Sequence, residues 1–243
     1  MKNLNATIEK LIKNTNGNLN IIRAIQAESP IYPFSTESKL LAYFLSLNEL
    51  SYEEFSELSK SYSQRNKYLC LYDMAPRTYG QTWGEQHIRS LFPKFIKATK
   101  KNLSKEYPKF DGEFDLWLQG IRVEVKACRA NNEKGKGSLA SRAYSYSEAK
   151  ELDFKYHYQQ LKPSCCDVFI WIGTCLDKLL YWVISSNELK EIGKMGSQHR
   201  NENTGTHQIE VFEGQIFMTE EQLKPFLVDE KDILKVVLEK GKK

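Results

Sequence analysis

The stretch EFDLWLQGIRVEVKA, residues 113–127, decides how the rest of the chain is read. Side chains on a β-strand alternate faces with a period of two. In IRVEVKA, Ile121, Val123, Val125 and Ala127 therefore share one face, and Arg122, Glu124 and Lys126 share the other. The first set is core material, while the second puts an acid and a base side by side. In the run before it, Phe114, Leu116 and Leu118 alternate with Asp115 and Trp117. Gln119-Gly120 between the two runs is a hairpin signal, weaker than Asn-Gly. A hairpin closed there places Asp115 near Glu124 on the polar face.

Two carboxylates and an ammonium converging at a sheet edge suit a hard divalent cation. Mg²⁺ takes oxygen ligands and keeps several waters or phosphate oxygens in its shell. Asp115 and Glu124 each offer a carboxylate oxygen, and Val125 offers its carbonyl between Glu124 and Lys126. Lys126 would stand near a metal-bound water, to orient it, deprotonate it or stabilise charge developing at phosphorus. The base role requires surroundings that depress its pKa. Asp111 and Glu113 rival Asp115 as the first acid, and Asp115 is favoured because it lies inside the alternating run. The same residues also suit a solvated sheet face with a cross-strand ion pair.

Upstream, residues 5–28 read as helix with an interruption at NTNGN, followed by a helical pair over residues 36–50 and 51–66, with Ser51 and Glu54 in capping-box spacing. MAPRTYGQ reads as a loop, and TWGEQHIRSLFPKFIKATKKN as one helix that Pro93 bends or divides. Downstream, SYSEAKELDFKYHYQQLKP reads as a helix ended by Pro163. CDVFIWIGTCL and KLLYWVISS read as apolar strands, SNELKEIG as a short helix, HQIEVFEGQIFM as two short strands and TEEQLKPFL as a last capped helix. The order after residue 82 is α-β-β-α-β-β-α-β-β-α, which predicts an α/β fold with one mixed sheet flanked by helices. The natural division is a helical region over residues 1–75 and a sheet-containing core over residues 76–243.

With Asp115, Glu124, Val125 and Lys126 in this setting, the chain resembles the PD-(D/E)xK nucleases, the catalytic core of many type II restriction endonucleases. Phe114 stands where the motif has its proline. The resemblance covers roughly residues 80–185 and implies a restriction-endonuclease-like core in which Asp115 and Glu124 ligate Mg²⁺ and Lys126 serves the attacking water. It also implies a glutamate on the helix before the hairpin, a position Glu85 fits; Glu85 equally suits a first-turn acid that complements the helix dipole. The implied activity is hydrolysis of double-stranded DNA at a short sequence, leaving 5′-phosphate ends. A homodimer is implied where the target is palindromic. A structure-specific nuclease of the resolvase or repair kind and a non-catalytic DNA-binding module stand as alternatives.

Two loops suit DNA contact. Residues 128–145, rich in Gly, Asn and Ser, carry Arg129, Lys134, Lys136 and Arg142 directly after the candidate catalytic strand. Residues 196–208 crowd Gln198, His199, Arg200, Asn201, Asn203 and His207, residue types that read base edges by paired hydrogen bonds. A lysine run, Lys94, Lys97, Lys100, Lys101, Lys105 and Lys109, offers a phosphate-contacting or merely solubilising helix face.

The 243 residues carry 35 basic and 31 acidic side chains, so the net charge of +4 permits a polyanionic partner without demanding one. The five cysteines form no CxxC pair and the four histidines no zinc-ligand spacing, which predicts a reduced protein without disulfides or zinc. No apolar run approaches the ~20 residues of a membrane span, and a soluble, cytoplasmic protein is expected.

Overall fold

A computed structural model describes residues 4–27, 35–192, 196–197 and 214–242. In chain order the regular elements are α1 (Leu4–Asn14), α2 (Leu19–Ala27), α3 (Thr36–Ser46), α4 (Tyr52–Arg65), α5 (Gly84–Leu91), β1 (Ile96–Lys97), β2 (Leu116–Leu118), β3 (Ile121–Arg129), α6 (Tyr146–Glu151), β4 (Tyr156–Leu161), β5 (Val168–Thr174), β6 (Leu179–Ser185), α7 (Ser186–Glu191), β7 (Gly196–Ser197), β8 (Gly214–Met218), α8 (Glu220–Leu223), β9 (Leu227–Val228) and α9 (Ile233–Lys240). They form two compact units. One holds residues 1–74, 131–149 and 175–178, and the other residues 75–130, 150–174 and 179–243.

In the first unit, α1 to α4 bury Leu4, Ile8, Ile22, Leu40, Leu41, Phe44, Leu50 and Leu58 together. The Ser51–Glu54 capping box starts α4, with each side chain bonded to the other's backbone N–H. A smaller cluster of Leu69, Tyr72 and Leu176 takes in Leu139, Ala140 and Ala143 from the Gly/Asn/Ser-rich loop.

The second unit is mixed α/β, built on a mostly antiparallel six-stranded sheet of order β1-β2-β3-β5-β6-β9. Gln119 (φ 50°) and Gly120 (φ 93°) are both left-handed, the conformation a two-residue hairpin turn needs to match strand twist. Leu116 therefore pairs with Val123 and Leu118 with Ile121. β3 then runs parallel to β5, the sheet's parallel pair, from Val123↔Val168 to Arg129↔Thr174. One sheet face, with Val123, Val125, Ile170, Ile172, Tyr181 and Val183, packs under Ile88 of α5 and Ile233 and Val237 of α9. The other face carries Phe169, Trp171 and Trp182 at zero exposure.

A second sheet, β4-β8-β7, covers that other face, so the single sheet expected from sequence is two. Tyr158 stacks on Trp171 at 4.3 Å and Tyr156 meets Trp182 at 5.0 Å between ring centroids. Gly173 lets these rings close up, since a Cβ there would stand 2.7 Å from both Trp182 and Tyr156.

Three further sequence expectations are corrected. The helix expected over residues 145–162 is only the six residues of α6; the alternation of Tyr156 and Tyr158 fits strand β4, and Gln160 (φ 54°) marks a bulge in it. MAPRTYGQ is not a plain loop, because Thr78–Trp83 form a π-helical turn that feeds α5. The long helix from residue 82 stops at Leu91: Phe92, which precedes Pro93, is extended (φ −133°, ψ 88°), as its clash with the proline ring demands. Beyond it the chain forms edge strand β1 and a series of turns. The first strand expected in HQIEVFEGQIFM lies outside the described residues.

Candidate active site

The hairpin brings Asp115, Glu124 and Lys126 together. Asp115 is anchored three ways, through its backbone N–H to the Val123 carbonyl (3.1 Å), its carbonyl from the Ala98 N–H (2.9 Å) and its Oδ2 from the Val125 N–H (2.9 Å). Asp115 thus lies just before β2 rather than inside the alternating strand, where the ladder pairing has ended at Leu116↔Val123, and its carboxylate reaches Glu124. Lys126 Nζ meets Glu124 Oε1 at 2.6 Å, with side-chain exposures of 19% and 12%. This is not a solvated sheet face.

Burial governs the electrostatics. It pushes the Glu124 carboxyl up to about 8, helped by the charge of Asp115 and only partly opposed by Lys126. Asp115 is raised as well, again by burial first, against Lys126 and the Val125 N–H. Burial alone would lower the Lys126 ammonium, but the charges of Glu124 and Asp115 more than offset it and leave it raised. In this state Lys126 is a firmly protonated cation, suited to orient or donate rather than to abstract a proton. With the Glu124 carboxyl pushed up to about 8, the site gains its second negative charge only as that proton leaves, and the donors it offers are carboxylate oxygens.

That donor set fits Mg²⁺. Among the described residues no three His, Cys, Asp or Glu side chains converge on one point. One or two carboxylates, completed by waters and substrate phosphate, are the usual protein share of a Mg²⁺ shell. Asp115 and Glu124 are the residues that would hold the ion here, with the Val125 carbonyl as the expected third oxygen.

Glu85, on α5, feels the charge of Asp115. The first turn of α5 lies over β3, since a Cβ on Gly84 would stand 3.6 Å from Val125 Cγ1 and 3.7 Å from Ala127 Cβ. Glu85, 8% exposed, bonds Lys97 of β1 at 3.2 Å, and burial and then the charge of Asp115 raise its carboxyl. Asp111 and Glu113 stay apart from the cluster, Asp111 pairing with Lys100 at 2.9 Å and Glu113 accepting from the Asp111 N–H at 2.8 Å.

The Arg129 guanidinium lies 4.4 Å over the Tyr79 ring at the end of β3. Lys134 and Lys136 are exposed in the loop of the first unit. Arg142 in that loop instead binds inward, its Nη1 donating to the carbonyls of Asn132 (3.0 Å) and Glu133 (3.2 Å). Gln198, His199, Arg200, Asn201, Asn203 and His207 lie outside the described residues.

Two residues near the acids were not singled out from sequence. Lys97 belonged to a lysine run read as helix, and only the stop at Pro93 reveals it as a strand residue beside β2. Lys162, just beyond β4, is near enough that its charge lowers Glu124. No protein-family model matches this chain, and no curated protein is detectably similar to it in sequence.

Proposed function

We propose that this protein is a Mg²⁺-dependent endonuclease that hydrolyses phosphodiester bonds of double-stranded DNA, of the PD-(D/E)xK type and most simply a type II restriction endonuclease. The observation that carries the reading is the buried meeting of Asp115, Glu124 and Lys126 at a hairpin, with Glu85 on the helix before it. A structural ion pair needs neither the second carboxylate nor a glutamate held to about 8 by its surroundings.

The reaction adds water to phosphorus in line with the departing 3′ oxygen and breaks that P–O bond; the water's proton passes to solvent and the 3′ oxygen takes one up, leaving a 5′-phosphate and a 3′-hydroxyl. When bound, Mg²⁺ supplies Lewis-acid stabilisation and a more acidic water. Asp115 and Glu124 fix the ion's position, and the Val125 N–H fixes Asp115 in turn. Lys126 donates to the attacking water or to a non-bridging phosphate oxygen where charge develops. Arg129, Lys134 and Lys136 would contact the DNA backbone, and residues 198–203 would read base edges in a homodimer matched to a palindromic site.

Incubation with unmethylated phage-length DNA tests this. Discrete fragments that need Mg²⁺ and carry 5′-phosphates support a site-specific enzyme. Cutting confined to branched DNA would replace it by a structure-specific nuclease, and Mg²⁺-independent binding without cutting by a binding module.

A further inference from the structure

We infer that Tyr79 is a positioning residue that holds the Arg129 guanidinium ready for a DNA phosphate beside the scissile one. This deepens the nuclease reading of Asp115, Glu124 and Lys126 and rests on it.

Four rings form a column in the second unit. Tyr79 stacks on Trp83 at 5.2 Å between centroids with planes 8° apart, Trp83 on His87 at 5.0 Å and 15°, and His87 on Tyr181 of β6 at 5.9 Å and 11°. Tyr79, Trp83 and His87 follow one another at intervals of four residues along the π-helical turn and α5. His87 Nε2 also meets the Tyr181 hydroxyl at 2.6 Å, which ties one end of the column to the sheet. The other end is tied as well. Tyr79, 3% exposed, shares a buried hydrogen bond of 2.8 Å with the hydroxyl of Thr174, the residue of β5 that pairs with Arg129 of β3. The Arg129 guanidinium lies over this fixed ring, 4.4 Å from its centroid.

The column gives the arginine a rigid platform. A guanidinium stacked on an aromatic face keeps its in-plane N–H groups for hydrogen bonding, because stacking uses the face and hydrogen bonding the edge. A phosphate takes such edge donors two at a time. Arg129 follows Lys126 on β3 by three residues, or roughly 10 Å of strand, so the phosphate it meets is a neighbour of the one being cut. A long side chain ordered in advance loses less freedom on binding than one ordered at contact. Tyr79 acts through Arg129 and not on the phosphate. The π-helical turn that carries it is a rare conformation, found often at functional sites.

Binding of a fluorescent duplex DNA of mixed sequence to the whole chain in Ca²⁺, followed by anisotropy over a salt series, tests this. Arg129→Ala should weaken binding and reduce the slope of log K against log salt by about 1. Tyr79→Leu keeps the charge, so it should leave the slope as it is and weaken binding roughly 2- to 10-fold, the cost of ordering one long side chain on contact. In the Arg129→Ala background, Tyr79→Leu should weaken binding no further, whereas a purely structural tyrosine would cost the same in both backgrounds. Tyr79→Phe keeps the ring and should bind as the wild type does. Tyr79→trifluorophenylalanine keeps the shape of Tyr79→Phe but drains the negative face of the ring, and it should bind more weakly than Tyr79→Phe. That last pair decides the matter where circular dichroism shows Tyr79→Leu to be unfolded. No loss in a folded Tyr79→Leu, an equal loss in both backgrounds, an unchanged salt slope in Arg129→Ala, or equal binding by the two phenylalanine variants overturns the inference and leaves the nuclease reading intact. A wild type that binds no duplex DNA overturns that reading, and the inference with it.

Discussion

The Oδ2 of Asp115 accepts the backbone N–H of Val125, 2.9 Å away across the hairpin, and this one bond fixes where the first carboxylate stands relative to the second. Asp115→Asn retains a side-chain oxygen for that bond and removes the charge. It should melt within a few degrees of the wild type yet lose Mg²⁺-dependent stabilisation. Asp115→Ala also leaves the Val125 N–H without its acceptor, at a cost of about 1–3 kcal/mol, and should melt lower. Equal melting of the two variants would show that the bond does not hold the hairpin.

Glu124 gives the stability a pH signature. Its folded value near 8 lies above its ordinary carboxylate value, so the folded state binds the proton more tightly than the unfolded one. The stability this group contributes is complete below its unfolded pKa and is lost as pH rises through about 8. Asp115 is raised too and acts in the same sense. In chelator, the melting temperature should fall from pH 5 to pH 8 more steeply in the wild type than in Glu124→Gln. Mg²⁺ competes with that proton, so its stabilising effect should grow over the same range. Melting curves of both proteins at four pH values, with and without Mg²⁺, check both slopes.

Gly173 has no room for a side chain. Gly173→Ala would bring a methyl group to 2.7 Å from the rings of Trp182 and Tyr156, and parting the two sheets there should cost about 1–3 kcal/mol. Denaturant titration would show it as a lowered midpoint. An unchanged midpoint would mean the sheets give way at no cost.

The basic loop separates phosphate contact from scaffolding. Lys134 and Lys136 are exposed, whereas Arg142 is bonded to its own loop's carbonyls. Replacing both lysines by Ala should reduce the slope of log K against log salt by about 2 for duplex DNA. Arg142→Ala should loosen the loop, seen as faster amide exchange, with little change in that slope.

The hairpin and its acids were legible because both tests agree there. Strict alternation fixes the faces of β3 and Gln119-Gly120 fixes the turn, which brings Asp115 to the Glu124 end of the hairpin, although it lies just before β2 and the Val125 N–H holds it there. Elsewhere a local signal was outvoted by one that periodicity does not register. Pro93 ended α5 by excluding its neighbour Phe92 from helical backbone, which turned a lysine-rich helix face into strand β1 and set Lys97 against Glu85. Tyr156 and Tyr158 suited a helix as well as a strand until Trp171 and Trp182 supplied a face for them to cover. The depth of Glu124 and Lys126 was out of reach for the same reason, because alternation puts them on a polar face and only the second sheet shows that this face is buried. α9 was missed outright, although Ile233 and Val237 close the core at helical spacing.

The most direct test of the nuclease reading is single-turnover cleavage of long duplex DNA by the wild type and Lys126→Met, in Mg²⁺ and in chelator, with DNA binding measured in Ca²⁺. Lys126 is assigned to the chemical step, so the variant should bind DNA as the wild type does and cleave it at least ~100-fold more slowly. The wild type should be inert in chelator. Cleavage by Lys126→Met at the wild-type rate, or wild-type cleavage that survives chelation, would contradict the account.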